Sequence, residues 1–346
     1  MKALVTGGTG FLGRRLIRRL IDQGSSTRCL VRDRDALELE RAEAKRLGVE
    51  LEVREGRLDG IGPDSDIAKG CDIVFHVAAE LRGGTAGMFL TNVVATRALL
   101  AVSANAGVGR FVLVSSLGVY GTAGLHPGDV LDEACPLDAE PHRRDPYSFS
   151  KIAQEHAAWA AHNRGDVPLV VVRPSVIYGP GRDAITARVG LRLGSFIMVM
   201  GGRHPLPYTF VDNCASAIAL AGVAHGVEGE AFNIVDDELP TGRQLVRIHR
   251  RSIGRLRSLT VPRPLIRPLS RLSEWYHSAS KGQLPAVLTP YKSDAQWKPL
   301  RYPNAKAKRG LGWSPEVGLR EGLERTVSWS ARRDRAGVPP AIAEGR

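Results

Sequence analysis

Apolar positions along the chain follow two alternating rhythms. Short strand-like runs occur at Ala3 to Val5, Thr27 to Arg32, Leu51 with Val53, Asp72 to Val77, Phe111 to Val114 and Leu169 to Val172. Between them, apolar residues recur every three or four positions. Leu16, Ile17, Leu20 and Ile21 share one helical face, and Arg14, Arg15, Arg18 and Arg19 take the other. Asp35 to Leu47 reads as a charged helix and Met88 to Ala104 as a long apolar one. Asp145-Pro146 supplies an N-cap and a first-turn proline for a helix that carries Tyr147 and Lys151. Strands alternating with helices through short turns predict an α/β chain with a doubly wound parallel sheet.

The rhythm changes after residue 174. Short strands are expected near Tyr208 to Val211 and Ala231 to Val235, with a helix over Asp212 to Ala221 between them. The division that follows is a sheet domain over 1–174, a smaller C-terminal region over 175–330 that returns some elements to the sheet, and a frayed tail over 331–346. No internal repeat is present.

At 346 residues, 43% of them hydrophobic, the chain can bury a full core. The first strand starts right after Met1-Lys2, which leaves no room for a signal peptide. No apolar run approaches the ~18 residues of a spanning helix. Cys29, Cys71, Cys135 and Cys214 lack disulfide or metal spacing. The expectation is a cytoplasmic chain without a metal. The net charge of +12 is concentrated. From Arg247 to Arg309, fifteen Lys or Arg stand against Glu274 and Asp294, which is +13, so the rest of the chain carries about −1.

The first strand runs straight into Thr6-Gly7-Gly8-Thr9-Gly10-Phe11-Leu12-Gly13, and the first helix follows. Glycines at this junction permit a tight turn, close approach of backbone N–H groups to a pyrophosphate, and tight packing of helix on strand. Gly8 to Gly13 fits the common dinucleotide fingerprint, and the steps Gly7, Gly10, Gly13 fit a variant of it. An ordinary glycine-rich turn is the alternative, and the strand–turn–helix context argues against it. The end of the second strand decides the cofactor. Arg32 there suits a 2′-phosphate and favours NADP, while the neighbouring Asp33 keeps NAD open. Ala78-Ala79, after the fourth strand, would let a cofactor approach. His76 within that strand reads as a packed residue. Ser115-Ser116 ends the fifth strand. Tyr147 and Lys151, four apart, share a helical face. A tyrosine, a lysine and a strand-end serine can do acid–base work. The phenol must exchange a proton near neutral pH against a free pKa near 10, and nearby positive charge favours the phenolate.

With these motifs the chain resembles the extended short-chain dehydrogenase/reductase family, also called the NAD-dependent epimerase/dehydratase family, from Met1 to about Trp329. The glycine turn, Val74-Phe75-His76-Val77-Ala78-Ala79, Asn92-Val-Val-Ala-Thr96, Ser115 to Gly121, Tyr147-Ser-Phe-Ser-Lys151, Arg173 to Gly181 and Phe210-Val211-Asp212-Asn213 are similar to its segments. The resemblance implies a Rossmann fold and assigns roles. Tyr147 is the acid or base, Lys151 binds the nicotinamide ribose and lowers the tyrosine pKa, and Ser116 holds the reacting oxygen. Cofactor contacts fall to Gly7, Thr9, Gly10, Phe11, Leu12, Gly13, Arg32, Leu58, Ala78, Ala79, Asn92, Tyr147, Lys151 and Pro174. Relatives often pair long helices across a homodimer, here those near Asn92 and Tyr147.

Departures narrow the activity. Arg57-Leu58-Asp59 follows Gly56, where many relatives place an adenine-contacting Asp, so Leu58 is left to pack on the adenine. Leu117-Gly118 replaces the Asp-Glu pair of sugar dehydratases and excludes that reaction. Ser175-Val176 follows Arg173-Pro174, without the asparagine of many nucleotide-sugar enzymes. The stretch from Leu288 to Pro315 is similar to tails of the 3β-hydroxysteroid dehydrogenase-like and related reductase branches. The expected substrate is a fairly apolar small molecule carrying a secondary alcohol or ketone. A nucleotide-sugar 4-epimerase and a non-catalytic cofactor sensor are the alternatives. In the basic region, Leu265, Leu269, Leu272 and Tyr276 share a helical face. Such a helix either caps the substrate pocket or lies on an anionic membrane. Pro268 speaks against one straight helix there. No nucleic-acid-binding motif accompanies the charge.

Overall fold

The computed structural model describes residues 1–335 except 82, 201, 255 and 281–287. Its strands are β1 (Lys2–Thr6), β2 (Ser26–Val31), β3 (Leu51–Glu55), β4 (Ile73–His76), β5 (Arg110–Val114), β6 (Leu169–Pro174), β7 (Val176–Tyr178), β8 (Gly190–Leu193), β9 (Phe196–Met200), β10 (Tyr208–Phe210), β11 (Glu230–Ile234) and β12 (Arg257–Val261). Its helices are α1 (Phe11–Asp22), α2 (Glu38–Arg46), α3 (Thr85–Phe89), α4 (Ala95–Asn105), α5 (Pro146–Asn163), α6 (Val211–Val223), α7 (Gly242–Ser252), α8 (Arg263–Ala279), α9 (Pro290–Trp297), α10 (Ala305–Leu311) and α11 (Leu319–Arg335).

Seven strands form one sheet in the order β11-β6-β5-β4-β1-β2-β3, and every pair is parallel. The doubly wound architecture expected from the sequence is therefore present. A strand buried on both faces must be apolar at nearly every position, and this explains the continuous runs. Alternate residues feed separate cores. Val5, Phe75, Val112 and Val170 pack in one cluster, with Leu16 of α1 and Ile218 of α6. Leu4, Val74, Phe111 and Val171 pack in the other, with Leu99 of α4 and Ala158 of α5. Gly222 of α6 lies so close to the Phe75 ring that a Cβ would stand 2.4 Å from it. Strand order reverses between β1 and β4, and this opens a crevice at their C-terminal ends.

Several elements differ from the sequence expectation. The charged stretch at 35–47 begins as a 3-10 turn, Arg34–Leu37, before α2. Asp33 caps that turn by accepting from the Asp35 N–H at 3.0 Å, and buried Leu37 draws the turn into the core. The helix expected over 88–104 is α3 and α4 joined through a π-helical turn, Leu90–Val94. Thr85 to Asn105 does have the length and apolarity of a spanning helix, against the expectation that no segment approaches it. It packs Leu99, Leu100 and Val102 into the core. A helix (α8) runs through Pro268 without a break. The proline removes only one intrahelical donor, and the carbonyl it leaves belongs to Pro264 in the first turn. A small sheet in the order β12-β9-β8 was not legible in the pattern. The segment expected to fray beyond 331 continues as helix to Arg335, and the rest of it lies outside the described residues.

Candidate active site

The crevice is built first from glycine. Gly7 has φ 73°, and a Cβ there would stand 2.6 Å from the Ala78 nitrogen. The turn after β1 thus presses against the exit of β4, and Ala78 and Ala79 flank it. A Cβ on Gly13 would stand 2.1 Å from the Gly7 carbonyl oxygen. The Gly10 N–H donates to that same carbonyl at 3.0 Å. Gly10 is the N-cap of α1, no side chain caps it, and the first turn holds no acid. The leading N–H groups of α1 are therefore free of side-chain partners and face an anion-attracting dipole. Thr9 and Gly10 lie towards the surface, Leu12 and Gly13 are buried, and the Phe11 ring abuts Gly181.

The flanking residues extend this cradle. Arg32 is exposed at the end of β2. The Arg57 guanidinium, hydrogen-bonded to Asp59, holds that carboxyl below its ordinary range, and Arg32 adds to the effect. The Asp33 carboxylate is engaged as a cap. Leu58 is half-buried against the second core. Pro174 closes β6, and the buried Ser175 Oγ beside it has no hydrogen-bond partner among the described residues. A closely approached turn, open helix N–H groups and an orphaned hydroxyl fit a dinucleotide along this crevice.

Asn92 has a different place from the one expected. It is fully buried in the π-helical turn. Its Oδ1 accepts from the Glu80 N–H at 2.7 Å, and its Nδ2 donates to the Glu80 carbonyl and to Ser150 Oγ at 3.0 and 2.9 Å. With its amide bonded to protein groups, Asn92 braces the loop after β4 against α5.

The acid–base residues meet at the crevice mouth. Ser116 is half-buried after β5, and its Oγ accepts from the Gly118 N–H at 3.0 Å. Asp145 caps α5, accepting from the Ser148 N–H and hydroxyl at 2.9 and 2.7 Å, and so fixes the turn that carries Tyr147. Burial pushes the Tyr147 phenol up to about 12, Arg182 and the Ser116 hydroxyl act against the rise, and Asp145 adds to it. Lys151 is 1% exposed. Its Nζ donates to the Val114 carbonyl at 2.7 Å and to Gln154 Oε1 at 2.5 Å. Desolvation brings its ammonium down to about 7, and the Glu155 charge opposes this. The groups acting on the Tyr147 phenol are Arg182, Asp145 and the Ser116 hydroxyl, while the Lys151 ammonium is turned to its own two acceptors. The cation acting on Tyr147 is Arg182, because a buried ammonium turns to the acceptors that satisfy it.

A polar lattice supports these groups. Gln154 donates to Thr96 Oγ1 at 2.8 Å and contacts His76 Nε2 at 3.2 Å. His76 also meets Thr6 and Thr96 at 2.7 Å each, so its reading as a packed strand residue holds. Burial and the Lys151 charge keep it neutral, with its pKa down at about 3. The Glu155 carboxylate accepts from Arg173 and from Ser115 Oγ. Arg173 also donates to Tyr120 Oη at 2.6 Å. Arg144 pairs with Asp138 at 2.7 Å and donates to the Gly118 and Tyr120 carbonyls, and Tyr291 of α9 bonds Asp138. Sequence reasoning missed Gln154, Glu155, Arg144 and Arg182. The signal for the first two was present: they lie three and four residues after Lys151, on a face continued by buried Ala158.

The model of the family described as NAD dependent epimerase/dehydratase matches residues 3–235. The chain is 30% identical to a 2-alkyl-3-oxoalkanoate reductase of Stenotrophomonas maltophilia over 96% of this chain and 100% of that one. It is 28% identical to a decarboxylating sterol-4-alpha-carboxylate 3-dehydrogenase of Saccharomyces cerevisiae, over 94% and 97%. Among solved structures it is similar to MoeE5 in complex with UDP-glucose and NAD, at TM-score 0.70 and 23% identity, over 96% of this chain and 99% of that one.

Proposed function

This chain belongs to the NAD-dependent epimerase/dehydratase family and is an enzyme of the extended short-chain dehydrogenase/reductase type; from that premise we propose that it is an NADP-preferring oxidoreductase. It interconverts a secondary alcohol and a ketone on a fairly apolar small molecule. The observation that carries this reading is the meeting of Ser116 and Tyr147 at the crevice mouth, with Leu117-Gly118 where an eliminating acid would stand. Two relatives support the substrate class by name, one a reductase of an oxoalkanoate and the other a dehydrogenase of a sterol.

The cofactor supplies or accepts the hydride. The remaining chemistry belongs to this chain. In the reducing direction the substrate carbonyl oxygen accepts a hydrogen bond from Ser116 Oγ, and the Tyr147 phenol delivers its proton to that oxygen. A phenol pushed up to about 12 by burial holds its proton firmly at neutral pH and suits the role of acid. In the oxidising direction it must lose that proton, and Arg182 is the cation placed to help. Lys151 is the residue for the nicotinamide ribose, reached by exchanging the Gln154 and Val114 acceptors for ribose hydroxyls. The preference for NADP rests on exposed Arg32 and on an Asp33 engaged elsewhere. A homodimer through the face of α4 and α5 is supported by Leu90 and Val94, exposed at 46% and 54% on the preceding turn.

The test is nicotinamide absorbance with NADPH and with NADH against keto-steroids, other apolar ketones and nucleotide sugars. Consumption of NADPH by an apolar ketone, lost in Tyr147→Phe by roughly a hundredfold or more, is expected. Epimerisation of a nucleotide sugar without net cofactor change, and no ketone reduction, would refute the proposal.

A further inference from the structure

The small sheet has a helix on each face, and β12 is one of its two edge strands. Thr260 lies opposite Val199 and Val261 opposite Met200, so alternate residues turn to opposite faces. On one face Gly242 of α7 rests on Val199. On the other, Ile266 of α8 packs with Met200 and Val261.

Helix α8 is buried along Ile266 and Ser270 alone. Ser270 Oγ meets Ser293 Oγ of α9 at 2.6 Å. About a quarter turn away, by helical geometry, runs a stripe of Leu265, Leu269, Leu272 and Tyr276. These side chains are 37% to 60% exposed, and neighbouring Trp275 is 64% exposed. Leu259 of β12, on the α8 side of the sheet, is 58% exposed. Single exposed apolar residues are ordinary, but a contiguous set of this size marks a contact surface.

The surrounding charge identifies what the surface meets. Arg263, Arg267 and Arg271 lie on the flank opposite the leucines, with Glu274, and Arg267 there pairs with Asp294 of α9 at 2.9 Å. On the far side of the same edge strand, a cleft of about 540 Å³ is lined by Arg243, Arg247, Arg250 and Arg251 with the hydroxyl-bearing Ser258 and Thr260. None of the ion pairs among the described residues involves those four arginines. Four uncompensated guanidiniums repel one another, and a row of phosphates relieves that repulsion. A row of phosphates with hydrocarbon beneath it answers both the leucines and the arginine cleft.

We propose that the β12 edge, with the α8 stripe and the α7 arginine cleft, is a docking face for an anionic lipid bilayer. The leucines and Tyr276 enter the headgroup layer and the four arginines of the α7 cleft hold lipid phosphates. This is independent of which substrate the enzyme turns over.

The test uses the full chain with vesicles of phosphatidylcholine alone and of phosphatidylcholine mixed with phosphatidylglycerol. Sedimentation only with the anionic vesicles, weakened by salt, is expected, together with a blue shift of tryptophan emission that Trp275→Phe removes. Leu272→Glu should weaken binding about tenfold or more, from the lost burial of one leucine. Arg247→Glu with Arg251→Glu should weaken it at least twentyfold, at roughly fivefold for each charge lost. Ketone reduction in solution stays at the wild-type rate in all three variants, which reports an intact fold. Absence of binding to anionic vesicles, equal binding to neutral ones, or binding unchanged in Leu272→Glu or in Arg247→Glu with Arg251→Glu overturns the proposal. So does a wild-type oligomer that Leu272→Glu dissociates, because the face would then belong to a second copy of the chain. Inorganic phosphate that protects the fold without any vesicle binding would reduce the cleft to a site for free anions and overturn it as well.

Discussion

Replacing Lys151 by Met should abolish catalysis and should change stability by an amount that depends on pH, more favourably at low pH than at high. The ammonium ionises at about 7 in the folded chain against 10.5 ordinarily, because burial disfavours its charge. The folded state therefore binds fewer protons than the unfolded chain between those values. Stability rises with pH wherever the unfolded state holds more protons. The penalty of keeping Lys151 is accordingly largest below the folded value and fades as pH climbs towards the unfolded one. At about 1.4 kcal/mol for each tenfold in proton affinity, it amounts to about 5 kcal/mol near pH 6 and about 2 kcal/mol near pH 9. Methionine removes that penalty but strands the Val114 carbonyl and Gln154 Oε1, which costs about 1–3 kcal/mol each. The stranding cost is the same at both pH values. The stability difference between variant and wild type should thus shift by about 3 kcal/mol in favour of the variant at the lower pH. Urea unfolding of both proteins at the two pH values measures it directly. A difference that is independent of pH, or that favours the variant more at high pH, would refute the claim that the ammonium is held at a cost.

Other substitutions test other parts of the site. Gly13→Ala should abolish NADPH binding, followed by its fluorescence, since the new Cβ would stand 2.1 Å from a backbone oxygen, whereas Gly60→Ala, with nothing within 4 Å, should bind normally. Glu155→Leu should cost about 3–5 kcal/mol in urea unfolding by leaving Arg173 buried and unpaired. Adding Arg173→Met should recover most of that loss, and strictly additive losses would contradict the pairing. Arg32→Ala should raise the KM for NADPH roughly ten- to a hundredfold, the loss of one charge-assisted contact, and leave the KM for NADH unchanged.

The sheet was legible because its signal is local. The middles of β1, β4, β5 and β6 (Ala3 to Val5, Ile73 to Phe75, Phe111 to Val114, Leu169 to Val172) are apolar on both faces, so each run declares itself without knowledge of its neighbours. The glycine turn and the Ser116, Tyr147 and Lys151 positions were legible for the same reason, as fixed spacings on single elements. What escaped depends on tertiary partners. The π-helical turn carries Asn92, whose amide bonds the Glu80 loop and Ser150 together, and neither partner is visible from the local pattern. The direction of Lys151 depends on a carbonyl of β5 and on Gln154. Strands β8, β9 and β12 are short, and Leu193 and Leu259 in them are exposed, so no alternation marks them. The α8 stripe was visible as a pattern, but periodicity states only that a face is apolar, not what meets it.

The seventh strand also sets when the molecule can first exist. β11 joins the sheet from residues 230–234, beside β6, long after the crevice and its acid–base groups have been specified. Until that segment leaves the ribosome, β6 (Leu-Val-Val-Val-Arg-Pro) is an unpaired apolar edge, the kind of template that invites intermolecular pairing. Asn233 of β11 then bonds Tyr120, which holds Arg173. A nascent chain stopped at 174 would carry the nucleotide motif and the three acid–base residues yet remain sticky and unfinished. In synthesis, and in any dissection of the gene, the two halves should therefore behave as one unit, joined through β11 and Asn233.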